Sequence, residues 1–239
     1  CRCKAQVMSS EKLGKISTGL KDFDTNVFEL EDLCAMMLQE KDVLHKIGNE
    51  FQQKIIVACY PRAIKNMFRQ NAIDFGDFEV MNFKELSAET IFGKLENEFQ
   101  IPKGEARYSV QITGLNVPAW YPVIDESLCT QCGKCARFCL FGVYSFDKKK
   151  LNVVDPLACK DQCPACGRTC PTSAIMFSRL AENTVLAGDE PTPTSSTWRR
   201  TTTSSRSRPS RCALSSSRTR TAAAETRTLT CGPSRRSAG

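Results

Sequence analysis

The sequence has one histidine, two tryptophans and no apolar run that approaches the roughly 18 residues a membrane helix needs. A membrane-spanning helix is therefore not expected. The single histidine, His45, sits beside Leu44 in an amphipathic stretch and reads as a surface or core residue, which leaves no candidate for histidine acid–base work. No G-x-G-x-x-G, no phosphate-binding P-loop and no G-x-S-x-G occurs, so the usual local signals of dinucleotide binding, nucleotide hydrolysis and serine esterases are missing. The chain opens on Cys1-Arg2-Cys3 with neither an initiator Met nor a signal-peptide pattern, and it is read as cytoplasmic and lacking its true start.

Evenly spread positive charge is also lacking. Of 33 Lys and Arg and 26 Asp and Glu, ten Arg and the single acid Glu225 fall within residues 191–239, which leaves 23 basic and 25 acidic residues before them. The +7 formal charge is thus a property of the tail, and the rest of the chain gives no electrostatic reason to expect a nucleic-acid partner. Residues 191–239 have no Ile, Val or Phe, and disorder is expected from residue 181 to 239. A basic arm for an acidic partner competes with a stretch foreign to the protein, as translation in a shifted frame would produce. Lys supplies 16 of the 23 earlier positive charges and none of the ten later ones, which favours the second reading and makes Cys212 and Cys231 bystanders.

Residues 1–100 alternate short apolar runs with helical patterns, which predicts an α/β domain with a parallel sheet built from βαβ units. The run from Lys54 to Cys59 is the clearest buried strand. Met37, Leu44, Ile47 and Phe51 share one helical face before it, and Ile64, Met67 and Phe68 share one after it. A strand near Phe78–Phe83 and a helix from about Ser87 to Phe99 follow. Residues 101–123, with Pro102, Gly104, Gly114, Pro118 and Pro122, read as a connector with a short strand around Tyr108–Ile112.

What the chain does have in quantity is cysteine, 14 in all. Cys129, Cys132, Cys135 and Cys139 make C-x2-C-x2-C-x3-C, and Cys159, Cys163, Cys166 and Cys170 make C-x3-C-x2-C-x3-C followed by Pro171. Two-residue gaps let one tight loop aim three sulfurs at three corners of an iron–sulfide cube, the fourth thiolate coming from elsewhere. Zinc favours C-x2-C pairs separated by a longer spacer, and this run overfills a tetrahedral site. Such spacing is tight for structural disulfides, and no secretory signal supports them.

From about Ile124 to Phe177 the chain resembles the two-cluster bacterial-type ferredoxin module. The resemblance implies an α+β ferredoxin-like domain over 124–180 with two 4Fe-4S clusters. One would be held by Cys129, Cys132, Cys135 and Cys170, the other by Cys159, Cys163, Cys166 and Cys139. The internal repeat is present too, each run being followed by an apolar pair, Val143 with Tyr144 and Ala174 with Ile175. Two departures stand out: Leu140 replaces the Pro after the first run, and Lys160, Asp161 and Gln162 lengthen the first gap of the second.

Cys1, Cys3, Cys34 and Cys59 remain. Cys59 ends the best strand, Cys34 follows the apolar stretch Val27–Leu33, and Cys1 with Cys3 would follow a strand ahead of the sequence. At the carboxyl ends of parallel strands, where ligands gather, four thiolates can converge. Residues 1–70 resemble the N-terminal domain of the flavin-bearing subunit of heterodisulfide reductase in the C-x-C opening, the isolated Cys34 and the segment Ile55–Arg62. That likeness implies a third 4Fe-4S cluster on these four cysteines, although the glycine-rich stretch expected after C-x-C is replaced by Lys4, Ala5 and Gln6. Cys34 and Cys59 as small buried hydrophobes is the competing reading. Arg62 can donate to a cluster or cap a helix dipole, and the sequence does not choose.

With no substrate motif, the chemistry expected is that of the clusters. A small electron carrier and an electron-wiring subunit of an oxidoreductase complex fit best, with redox proteins such as an oxidoreductase or flavoprotein as partners. The competing class is a heterodisulfide-reductase-related enzyme subunit or a thiol sensor.

Overall fold

The computed structural model describes residues 1–3, 7–117 and 119–191. The expectation of a disordered tail falls, from residue 192 onward, outside the described residues.

Helix α1 (Ser10–Gly19) starts where the Ser9 hydroxyl accepts the Lys12 N–H, and strand β1 (Asn26–Leu30) follows. Helix α2 (Leu33–Gln39) is capped by the Asp32 carboxylate, which accepts the Ala35 N–H at 3.3 Å. It ends at Glu40, and α3 (Lys41–Glu50) begins at once. The single helical face expected through Met37, Leu44, Ile47 and Phe51 is therefore split: Met37 lies on α2, Leu44 and Ile47 on α3, and Phe51 beyond its end. Glu40 adopts φ −114° and ψ 42°, outside helical geometry, and this breaks the run.

Strand β2 (Ile55–Ala58) leads to α4 (Pro61–Gln70), whose first position holds Pro61, where a missing N–H costs nothing. Strand β3 (Glu79–Asn82), helix α5 (Ala88–Asn97, capped by Ser87) and strand β4 (Arg107–Gln111) complete this half. Both strand pairs here are parallel, but they form two separate two-stranded sheets rather than one, and an isolated antiparallel bridge joins Phe23 to Lys103. β1 pairs with β4, Val27 opposite Tyr108, and β2 pairs with β3, Ile56 opposite Val80. Cys34 follows β1, but not directly. It lies in the first turn of α2, because β1 stops at Leu30 and Asp32 starts the helix.

The second half opens with β5 (Val123–Ile124) and α6 (Lys134–Phe138), followed by a hairpin of β6 (Tyr144–Asp147) and β7 (Lys150–Val153). Lys148 and Lys149 turn the hairpin with φ of 47° and 64°, the left-handed pair that a two-residue turn requires. Helix α7 (Ala165–Thr169) and β8 (Ile175–Met176) close the module, β8 pairing antiparallel with β5. Each half of the module thus repeats a strand, a cysteine loop, a five-residue helix and a strand. Its core stacks Trp120 on Phe177 at 5.1 Å and buries Ile124, Ala174 and Ile175 around Cys135, Cys166 and Cys170.

Buried polar contacts tie the module to the N-terminal half. Arg62 and Asp125 form an ion pair at 2.7 Å with side chains 4% and 8% exposed, and Arg179 meets Asp32 at 3.4 Å, also buried. Arg62 also donates to the carbonyls of Ser173, Val185 and Asp189. Neither role left open for Arg62 by the sequence is the observed one; it is a structural clamp. Residues 181–191, assigned to the tail from composition, instead pack back on α4. Val185–Ala187 form a short 3-10 turn with Ala187 buried, and Gly188 (φ 117°) lies so close to Ala63 that a Cβ there would sit 2.5 Å from its methyl. No helix among the described residues is long and apolar enough to cross a membrane.

Candidate iron–sulfur sites

None of the twelve described cysteines is in a disulfide. In the first run Cys129 and Cys132 lie on the loop, Cys135 on α6 and Cys139 just past it. In the second Cys159 and Cys163 precede α7, Cys166 lies on it and Cys170 follows. The two helices end alike. Cys139 has φ −74° and ψ 123°, and Cys170 has φ −67° and ψ 121°. Pro171 forces the extended state on Cys170. Cys139 reaches the same state with Leu140 behind it, so the missing proline leaves the backbone unchanged, and Leu140 projects into solvent at 90% exposure.

The longer gap of the second run is absorbed early. Gln131 and Gln162 each immediately precede the second cysteine of a run, and both are left-handed, at φ 52° and 58°. The extra residue lies ahead of Gln162, within a turn closed by the Cys163 N–H on the Lys160 carbonyl at 3.1 Å. At the next residue the loops differ, Gly133 being left-handed (φ 66°, ψ 9°) and Pro164 not (φ −95°, ψ 18°), and each chain then enters a five-residue helix.

Four of the eight cysteines meet across the two runs. Cys129, Cys132 and Cys135 line one cavity with Cys170, closed by Leu151, Thr172 and Ile175. Charge on Cys139 and Cys163 bears on both Cys159 and Cys166, and charge on Cys166 bears on Cys135 in turn. Burial pushes the Cys135 and Cys159 thiols up to about 12 and Cys166 to about 11. Cys132 is shifted the other way, lowered first by the backbone N–H of Lys134 at the start of α6. Buried thiols crowded by one another resist ionisation in bare protein, and iron charge reverses that balance. The donor set therefore fits iron–sulfur clusters.

Side chains outside the cysteine pattern complete the sites. Tyr144 donates its hydroxyl to Cys166 Sγ at 3.1 Å; burial, then the neighbouring Cys166, holds that hydroxyl protonated. Thr172 Oγ1 lies 3.7 Å from Cys170 Sγ, and Trp120 Nε1 donates to the Cys163 carbonyl at 3.3 Å. In the sequence Tyr144 signals only an apolar pair, and nothing local marks Thr172 or Trp120. Gly133 is needed where it stands. Its φ is 66°, and a Cβ would come within 2.6 Å of the Phe146 ring. Gly133→Val is expected to cost about 1–2 kcal/mol in backbone conformation, with ring displacement in addition. A fall in melting temperature together with faster iron loss to a chelator checks this.

The four upstream cysteines also approach one another. Cys3, Cys34 and Cys59 are buried and Cys1 is half-buried. The Cys59 thiol is raised well above its usual range, first by its hydrogen bond with Cys3 and then by burial, and charge on Cys34 acts on it as well. Cys34 is pushed up to about 12 by burial and by Asp32. Its Sγ lies 3.3 Å from the Ser178 hydroxyl of the ferredoxin-like module, and Tyr121 donates to its carbonyl at 2.9 Å. The Leu33 N–H points at Cys1 Sγ at 3.4 Å. Among the described residues no three Cys, His, Asp or Glu side chains gather at the spacing of a single metal ion. A cubane binds its thiolates on four separate irons and sets them wider apart. His45 is half-buried on α3, with Nδ1 3.2 Å from the Asp74 carbonyl, and takes no part.

Comparison with known proteins agrees with the module. Residues 121–144 match the family model of a 4Fe-4S binding domain. An uncharacterized ferredoxin of Methanocaldococcus jannaschii is 42% identical over 60 residues, which cover 25% of this chain and 41% of that protein. The chain thus spans about two fifths of that relative's length. No solved structure matches. The chain carries a ferredoxin-like 4Fe-4S module.

Proposed function

We propose that this protein is an electron-transfer protein with two 4Fe-4S clusters in residues 124–180 and a third at the N-terminal half. The observation that carries the reading is that Cys170, from the second run, shares a cavity with Cys129, Cys132 and Cys135 of the first. Cys129, Cys132, Cys135 and Cys170 hold one cluster, and Cys159, Cys163, Cys166 and Cys139 the other. Each cluster supplies one-electron redox chemistry at a potential set by its surroundings. The protein's part is to seat the thiolates, exclude water and place donors. Tyr144 donates to Cys166 and so favours added negative charge at the second site, while the Lys134 N–H does the same for Cys132 at the first. Cys135 and Cys166, on adjoining helices α6 and α7, stand between the sites and bring them within one short electron path.

Cys1, Cys3, Cys34 and Cys59 hold the third cluster. The Cys34–Ser178 contact supports a route from this cluster into the module, because it joins a ligand of one to the segment just after the other's last strand. Such a chain of centres suits an electron-wiring subunit that meets an oxidoreductase or flavoprotein partner. The side where Phe138, Leu140 and Phe141 remain exposed beside Cys139 offers that partner a short approach.

Anaerobic iron and sulfide counts with low-temperature EPR test the proposal. About twelve irons per chain are expected for three clusters and about eight for two. Stoichiometric zinc without acid-labile sulfide overturns it. Cys59→Ser is expected to remove about four irons and leave the module's signals intact. Unchanged iron would make Cys59 a packed core residue.

A further inference from the structure

Strands β1 and β2 each have one paired edge, to β4 and β3 respectively, and no pairing joins β1 to β2. Between them lies a cavity of about 390 Å³ lined along its length by both strands, Val27, Phe28 and Leu30 on one side and Ile55, Ile56 and Val57 on the other. It runs from Thr25 and Lys54 at their amino ends to Cys1 at their carboxyl ends. The most apolar strand of the chain is consequently only half-buried: Ile55, Ile56 and Val57 all retain exposure. Strands of parallel sheets carry apolar residues on both faces because they are normally covered on both faces and paired on both edges. Two isolated two-stranded parallel sheets that face one another across an apolar gap do not meet that condition.

At the carboxyl end of the gap the chain itself spans it. The Cys1 nitrogen donates to the Val57 carbonyl at 3.1 Å, and the Arg2 N–H donates to the Leu30 carbonyl at 2.8 Å. These are ladder-like bonds to β2 and β1 respectively. A chain continued backward from Cys1 enters the cavity and runs toward Thr25 and Lys54, so that its direction is parallel to both strands.

We propose that this cavity is the seat of a fifth parallel strand, an extended run of about five apolar residues continuous with Cys1. It inserts between β1 and β2 and joins the two half-sheets into one sheet ordered β4, β1, inserted strand, β2, β3. Helix α1 then becomes the crossover from the inserted strand to β1, and α2 with α3 the crossover that carries β1 past it to β2. The sheet's strand order reverses at the inserted strand, and the carboxyl ends at such a switch point are where open α/β sheets place their ligands. Cys1, Cys3 and Cys59 stand there. The inference is independent of the iron–sulfur reading, since it rests on strand edges and apolar lining.

The test compares the full chain carrying three five-residue extensions directly before Cys1: Val-Ile-Val-Ile-Val, Ser-Gly-Ser-Gly-Ser, and Val-Ile-Pro-Ile-Val, in which proline removes a ladder donor. The first is expected to raise the melting temperature by about 5 °C or more over the second. It should also slow amide exchange in 26–30 and 55–58 on the order of tenfold, with the protein still monomeric, and the proline version should lose most of the gain. Equal melting and exchange for the apolar and Ser/Gly extensions overturn the proposal, as does a gain seen only in a dimer, which would make the gap an interface between copies. None of these readouts depends on iron, so failure here leaves the cluster assignment standing.

Discussion

Cys170→Ala is expected to empty the cluster site of Cys129, Cys132 and Cys135, although Cys170 belongs to the other run. The reason lies in how α7 ends. The chain leaves the helix in an extended conformation fixed by Pro171, and Cys170, 8% exposed, turns into the cavity of the first run beside Thr172. Iron should fall by about four atoms per chain relative to the parent, and EPR should keep the signal of the cluster near Tyr144. Cys139→Ala is the mirror experiment and should spare the first site. If Cys170→Ala disturbed only the cluster of Cys159, Cys163 and Cys166, each run would serve itself and the crossed assignment would be wrong.

Asp125→Ala is expected to destabilise the protein by about 3–5 kcal/mol, because it leaves the Arg62 guanidinium buried without its counter-charge. For a chain of this size that is a drop of about 10 °C in melting temperature. Burial alone would raise the Asp125 carboxyl, yet the Ser127 hydroxyl and Arg62 hold it below the usual carboxylate range, so it is charged in the folded protein. The carbonyls of Ser173, Val185 and Asp189 still accept from Arg62 in the variant, but carbonyls do not neutralise a cation. Arg62→Met combined with Asp125→Ala should recover part of the loss, since the pair is removed together. Melting of the cluster-free protein separates this effect from iron retention. A single variant that melts like the parent would show that solvent reaches the pair and screens it.

The cysteine constellation was legible in the sequence because ligation to a cube constrains spacing directly, and a spacing survives in one dimension. Strand β2 was legible for a similar reason, its run of β-branched residues having few other uses. The pairing of β1 with β4 was not, since 80 residues separate Val27 from Tyr108 and nothing local encodes their register. Arg62 could be noticed but its partner could not; Asp125 lies 63 residues away and looks like any loop acid. The apolar stretch Val27–Leu33 spans the end of β1 and the start of α2, and Asp32 before an apolar run is the helix-start signal that divides them. The division of α2 from α3 carries no Gly or Pro, and only the backbone at Glu40 reveals it.

Trp120 gives the protein an optical reporter. Its ring is 5% exposed, stacked on Phe177, and its indole N–H is bound to the carbonyl of Cys163. An indole held this close to an iron–sulfur centre passes its excitation to the cluster's broad visible absorption instead of emitting it. If the proposed second cluster is bound there, emission from Trp120 is expected to brighten as that site loses its iron and to dim as it is rebuilt. The sequence has one other tryptophan, Trp198, so Trp198→Phe leaves a single emitter whose intensity follows assembly of that site in real time, under strict anaerobiosis and without withdrawing a sample.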